Sequence, residues 1–301
     1  MFFALVFLSL NISPPSTIMR VKWVPNSSGV ISFCYFFSIY SDEAGGAVNA
    51  NSIGNLVVDD SSFVNCSSFG FGGGIYSNVD VLSSERSCFL RCFSTGIDSY
   101  GSGIYATSLG SKNFSFMAMS RCSNACGSLM LSNGHQYTSK CNFSSSFDSF
   151  STGQYTNTPL SLTLEYSTVS QTSGITSIGF YTFSLATNMH HVNIVDNQLS
   201  KGYVYTNNAV YTLNYFVFIK NTGLMTFWYH DKGSVTFCNC VFDTVVSPGE
   251  CVYATPGCVF ACHVCTMHTH SFFYSDICYD PLITLNKKPI YRPIIFALLM
   301  I

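Results

Sequence analysis

From Gly45 to Cys122 the chain reads Gly45-Gly46-Ala47-Val48 and then Phe63-x-x-Cys66, Gly72-Gly73-Gly74-Ile75 and then Phe89-x-x-Cys92, Gly101-Ser102-Gly103-Ile104 and then Met119-x-x-Cys122. A glycine-rich tetrad, a β-prone run and an apolar residue three positions before a cysteine thus recur three times in succession. Self-similarity at a period of roughly 20 to 50 residues marks a solenoid or a related array. Extended along the chain, the apolar marker gives Phe37, Phe63, Phe89, Met119, Phe143, Tyr166, Ile194, Phe218, Phe242 and Met267, at spacings of 23 to 30 residues. The residue three positions on is Cys66, Cys92, Cys122, Ser146, Val169, Asn197, Asn221 and Val245. A small or amide-bearing group at one site suits a stacked ladder whose rungs lie about 4.8 Å apart.

Between markers lie short apolar or alternating runs such as 160–169, 189–195, 203–215 and 234–242, broken by Gly, Asn, Ser and Asp. These read as strands of a few residues joined by turns, and no long stretch has a helical period. The expected fold class is therefore all-β, a parallel β-helix solenoid of nine or ten coils over residues 30–285. Each tetrad is expected to form a tight turn in which glycine supplies positive φ without a steric penalty. A phosphate-cradling reading lacks the helix start and the Lys-Ser or Lys-Thr it needs.

Composition agrees with that architecture. Hydrophobic residues make up 48% of the chain and charged residues only 9%, so Ser, Thr, Asn, Tyr and Gly must cover the surface. A net charge of -2 leaves no basic face for phosphates, which excludes a nucleic-acid partner. Fourteen cysteines, with sequons at Asn11, Asn26, Asn65, Asn113 and Asn142, suit an oxidising, extracellular or cell-surface setting. Residues 1–29 are read as a signal or amino-terminal cap region. Residues 286–301 form an apolar segment, either a cap or the start of a membrane anchor, which is too short to span a bilayer by itself.

The tetrads followed by Phe63-x-x-Cys66 or Phe218-x-x-Asn221 resemble the Gly-Gly-Ala-Ile and Phe-x-x-Asn repeats of polymorphic outer-membrane proteins, closely over Gly45 to Cys122 and more loosely up to Val245. The cysteine form is similar to β-helix surface proteins of parasitic protists. The resemblance implies a right-handed, pectin-lyase-like parallel β-helix, display at a cell surface and adhesion to a host-cell or glycan surface. Its structural repeat residues here are Gly45, Gly46, Phe63, Cys66, Gly73, Gly74, Phe89, Cys92, Gly101, Gly103, Met119, Cys122, Phe218 and Asn221. The chain departs from the bacterial pattern in lacking a recognisable outer-membrane barrel.

Chemistry-bearing patterns are few. Arg91 and Arg121 each precede a motif cysteine, on consecutive coils, with Asn65, Ser145 and Lys220 aligned elsewhere and no carboxylate at that position. They read as an outward, solvated ladder. Asp59, Asp60, Glu85, Arg86, Asp231 and Lys232 read as turn charges. General acid and base work needs two carboxylates facing one substrate, and none is paired in the repeat register. The cluster of Cys238, Cys240, Cys251, Cys258, Cys262, Cys265 and Cys278, with His263, His268 and His270, reads as disulfides or buried thiols in preference to a zinc site. Phe216, Phe218 and Phe227 are expected in the core, with the roles of Tyr76 and Tyr105 open. The sequence thus predicts a non-enzymatic secreted or surface rod with no cofactor, its carboxy-terminal segment serving either as a cap or as the start of a membrane anchor. The alternative is a polysaccharide lyase or glycoside hydrolase on the same scaffold.

Overall fold

A computed structural model describes residues 17–19, 22–25, 28–51, 54–96, 98–123, 126–148, 150–181, 187–207, 210–230, 234–243, 252–254 and 259–260. Within them the chain is an all-β parallel solenoid, and every strand pair runs parallel, one coil to the next. Three walls succeed one another in each coil. The first contains ten strands from Gly29–Ser32 to Val252–Ala254, and the second eleven from Thr17–Met19 to Val259–Phe260. The third is an eight-stranded sheet from Val48–Ala50 to Met225–His230, preceded in the early coils by a three-stranded sheet of Tyr40–Ser41, Ser67–Ser68 and Phe93–Ser94.

Alternation along each strand sends one set of side chains inward, and parallel pairing stacks that set on its counterparts. On the second wall the inward row is Phe36, Phe63, Phe89, Met119, Phe143, Val169, Ile194, Phe218 and Phe242. Every member is buried, and where phenylalanines are consecutive their rings lie parallel, 4.6 Å apart for Phe63 with Phe89 and for Phe218 with Phe242. Burying one such side chain contributes about 2–3 kcal/mol. Two markers read from sequence are displaced. Phe36, not Phe37, faces the core, because a one-residue slip on a strand reverses the face. Val169, not Tyr166, occupies the row, and Tyr166 sits on the preceding corner. Thr172 rather than Val169 is consequently the rung three positions on. Met267 and Val245 lie outside the described residues.

Two corners flank the second wall, each a single residue with left-handed backbone. The first corner holds Phe33, Asp60, Arg86, Phe116, Lys140, Tyr166, His191, Tyr215 and Asn239, with φ between 45° and 56°. Five positions after each of the first eight comes the second corner: Ser38, Asn65, Arg91, Arg121, Ser145, Gln171, Asp196 and Lys220. The expectation that glycine supplies positive φ thus holds at Gly45, Gly72 and Gly101, with φ of 67–70°, but not at these corners. A non-glycine residue there costs about 1–2 kcal/mol. Along the first corner, contacts between neighbouring coils offset that strain: Arg86 pairs with Asp60 at 2.9 Å, the Lys140 ammonium lies 4.7 Å from the Phe116 ring centroid, and His191 stacks between Tyr166 and Tyr215.

The other tetrad glycines are required by close approach. A Cβ on Gly46 would lie 2.0 Å from the Gly73 carbonyl oxygen, and one on Gly73 would lie 2.3 Å from that of Ser102. The tetrads also bond in register, Gly46 N to Gly72 O and Gly73 N to Gly101 O, both at 3.1 Å. They separate the two sheets of the third wall.

Candidate functional site

The buried rung that follows the second wall is where the recurring cysteines sit. Each thiol donates toward a carbonyl of the coil before: Cys66 to Phe36 at 3.7 Å, Cys92 to Phe63 at 3.4 Å and Cys122 to Phe89 at 3.6 Å. Burial first, and then the Cys122 and Cys66 thiols on either side, push the Cys92 thiol well above its ordinary range. A thiol so held is neutral and poorly nucleophilic. In later coils the rung becomes Thr172, Asn197 and Asn221. The Asn197 amide donates to Val169 O at 3.1 Å and to Asn221 Oδ1 at 2.9 Å, while its oxygen accepts from Thr172 N at 2.9 Å.

A second rung, just after the first corner, accounts for Cys141 and Cys240. Cys141 donates to Ser139 O at 3.3 Å, and Cys240 to Leu213 O at 3.3 Å, as Ser87 and Ser167 do with hydroxyls in other coils. Cys238 ends the strand Ser234–Cys238, Cys240 follows the corner at Asn239, and Cys88 is disulfide-bonded. Cys251, Cys258, Cys262, Cys265, Cys278 and the three nearby histidines lie outside the described residues, as do 1–16 and 286–301. Among the described residues no three His, Cys, Asp or Glu side chains converge as metal ligands.

Arg91 and Arg121 occupy successive second corners and are exposed. One carboxylate does share the position, Asp196, contrary to the sequence reading. It stands three rungs beyond Arg121, roughly 14 Å away at the ordinary strand spacing, too far to pair. The turn charges Asp59, Asp60 and Glu85 converge on Arg86 from two coils, with 2.7 Å to Asp59 and a further contact to Glu85. Exposure limits what such a network contributes.

The convergence that sequence reasoning missed is on the first wall. Glu165 and His190 end consecutive strands, Ser161–Glu165 and Thr187–His190, and are register partners. Parallel pairing therefore places both side chains outward on one row, with His190 Nε2 3.1 Å from Glu165 Oε2. The Tyr137 hydroxyl, one strand earlier, donates to Glu165 Oε1 at 2.7 Å. A hydrogen bond with Ser139 lowers the pKa of that phenol, but the Glu165 bond, partial burial and the Glu165 charge together raise it further, so it remains a donor. On the other side His190 Nδ1 lies 2.9 Å from His191 Nδ1. The signal was present: Glu165 and His190 each stand four residues before the row residues Val169 and Ile194. Choosing Tyr166 as marker broke that alignment.

Away from this row, Lys112 points inward and is buried, its ammonium donating to Ser108 O at 2.7 Å and Asn133 O at 3.1 Å. Burial lowers its pKa to about 8. Phe216, Phe218 and Phe227 are buried. Tyr76 and Tyr105 stack on the outside of the third wall at 5.7 Å and 12°. Rings stacked along the rod cover each other's faces and present edges to solvent, so this pair is not a flat platform for a sugar ring. Its row continues through Met130, Tyr155, Gly179, Tyr205 and Trp228, and Phe150 packs against Tyr155, Tyr205 and Trp228. No family model, curated protein or solved structure matches the chain.

Proposed function

We propose that the chain is a right-handed parallel β-helix of nine or ten coils that works, without catalysis, as a secreted or surface-displayed binding rod. Two long parallel sheets of ten and eleven strands support the coil number, and the near-universal right-handedness of parallel crossovers supports the hand. One observation carries the functional reading: the outward row at the middle of the first wall, after opening on Val30 and Val57, runs through Ser83, Asn113, Tyr137, Thr163 and Asn188 and on to Thr212 and Thr236. From Ser83 onward these are uncharged hydroxyl and amide groups at about 4.8 Å intervals. Such a face offers many weak, equivalent hydrogen-bonding positions to a glycan or cell surface, and repetition adds them into avidity. Of the sequons at Asn65, Asn113 and Asn142, the exposed one is Asn113, and Asn142 is buried, so secretion would leave at most a sparse glycan coat on the described surface. Membrane attachment through 286–301 belongs to the same proposal.

A glycan array and a cell-binding assay with the folded rod test it. Binding is expected to be lost in the triple variant Asn113→Glu, Asn188→Glu, Thr212→Glu, which leaves the core untouched, and to survive Arg91→Ala and Arg121→Ala. Binding indifferent to the triple variant would overturn the assignment of the face. The second reading, a polysaccharide lyase or glycoside hydrolase, is favoured by the Glu165 and His190 pair, since a carboxylate bonded to an imidazole can hold and pass a proton. Turnover of uronate or neutral glycans, abolished by Glu165→Gln, would establish it instead.

A further inference from the structure

Consecutive side chains on a strand leave from opposite faces, yet His190 and His191 bring their Nδ1 atoms to 2.9 Å. The first corner explains this: His191 has φ 54°, and the left-handed turn swings its ring to the side on which His190 stands. The protons can then be assigned. An ionised carboxylate only accepts, so Glu165, 3.1 Å from Nε2 of His190, holds the ring proton there and leaves Nδ1 of His190 with a free lone pair. That lone pair accepts from Nδ1 of His191.

Aromatic rings from three coils surround the pair. His191 is stacked by Tyr166 from the coil before at 5.1 Å and by Tyr215 from the coil after at 4.8 Å, and Tyr166 meets His190 edge-on at 5.2 Å. Tyr137 holds Glu165 from behind, and Asn214 is the next residue on the His190 row. Two imidazole nitrogens each about 2.05 Å from one metal ion lie about 2.9 Å apart when they take cis positions at right angles, and about 3.3 Å apart at a tetrahedral angle. The observed separation matches the first.

We infer that His190 and His191 form a two-nitrogen site for a late first-row divalent ion of tetragonal preference, nickel(II) or copper(II), with Glu165 as the carboxylate that orients His190 from behind. Binding moves the proton of His191 from Nδ1 to Nε2, so both rings stay neutral while a small rotation about each Cβ–Cγ bond turns the two lone pairs to a common point. His190 is partly exposed, so water or other oxygen donors can complete the coordination of the ion. This site stands apart from the binding face proposed above and does not depend on it.

Calorimetric titration of the full chain with nickel(II), thiols kept reduced by a non-chelating reductant, tests the inference by difference, so that cysteines and other histidines contribute equally to each protein compared. His191→Asn retains a residue that tolerates the left-handed corner, and His190→Gln gives the same reading at a strand position. Each is expected to lose one equivalent of bound nickel at unchanged circular dichroism. Glu165→Gln should weaken that equivalent about 10- to 100-fold, and His135→Ala, an exposed histidine elsewhere on the wall, should leave it intact. Equal stoichiometry in the wild type and in either folded histidine variant would overturn the site.

Discussion

Between Cys66 and Cys122 the buried rung beyond the second wall is a thiol, whereas between Thr172 and Asn221 it is a hydroxyl or an amide. The thiols make long contacts, 3.4–3.7 Å to the preceding coil, and a thiol is a weak donor. The amides make contacts of 2.6–3.1 Å and work in both directions, so that Thr172, Asn197 and Asn221 form one bonded chain across three coils. The third wall changes at the same time. In the thiol segment glycine tetrads interrupt it, and backbones meet there at distances only glycine permits. In the amide segment the strands Ser173–Tyr181 and Gln198–Asn207 run on without a break, apart from a register shift between Gly174 and Thr176. Register is thus enforced by backbone contact in one segment and by side-chain hydrogen bonds in the other.

The strongest way to break this comparison is to attack the glycine contact. Gly73→Ala would set a methyl group 2.3–2.4 Å from the carbonyl oxygens of Ser102 and Phe93. Both are backbone atoms, so relief requires coils to separate. The expected loss exceeds about 3 kcal/mol, read as a collapse of the urea midpoint or failure to accumulate folded protein.

Lys112 lies in the thiol segment and gives it a dependence on pH. Its pKa is lowered by burial from 10.5 to about 8, so below pH 8 the folded state carries a charge it disfavours, and between pH 8 and 10.5 the unfolded chain binds more protons than the folded one. Stability should therefore rise with pH across that window, by on the order of 3 kcal/mol. The difference between wild type and Lys112→Met isolates this from the titration of tyrosines and cysteines. An identical slope in both proteins would show that the ammonium is solvated.

The rungs themselves allow the finest comparison. Asn197→Ala strands Thr172 N and Val169 O in the interior and should cost about 2–3 kcal/mol, against about 1 kcal/mol for Cys92→Ala, which removes one weak donor and a sulfur atom. Equal losses in urea unfolding would mean that packing, not hydrogen bonding, sets the value of a rung.

Much of the fold was legible because its signal is repeated. Phe63, Phe89, Phe143 and Phe218 lie on one inward row at nearly constant spacing, and glycine marks the tight third-wall turns. Legibility ended where neighbouring residues competed for one role: Phe36 and Phe37 differ only in the face they take, and Tyr166 looked like a core aromatic beside Val169. The corners were illegible for another reason. Asp60, Arg86, Phe116, Lys140 and His191 share no side-chain property, because what unites them is a backbone conformation whose cost is offset by contacts with the coils above and below. The convergence of Tyr137, Glu165 and His190 was hidden by the displaced marker, since chemistry spread over three coils becomes visible only once the register is right.

The five-residue span between paired corners is the same from Phe33 and Ser38 to Tyr215 and Lys220. Differences in coil length are therefore absorbed outside that span, mostly on the way into the third wall. The rod accordingly has a fixed gauge on one side and a tolerant port on the other. A residue inserted between Asp60 and Asn65 would throw every later contact on that wall out of alignment, while one inserted in the turn before Tyr100 would lengthen a bend. Foreign peptides spliced into successive third-wall turns would be carried as passengers at heights set by the coil repeat, which makes the scaffold a ruler on which epitopes can be arrayed at chosen separations.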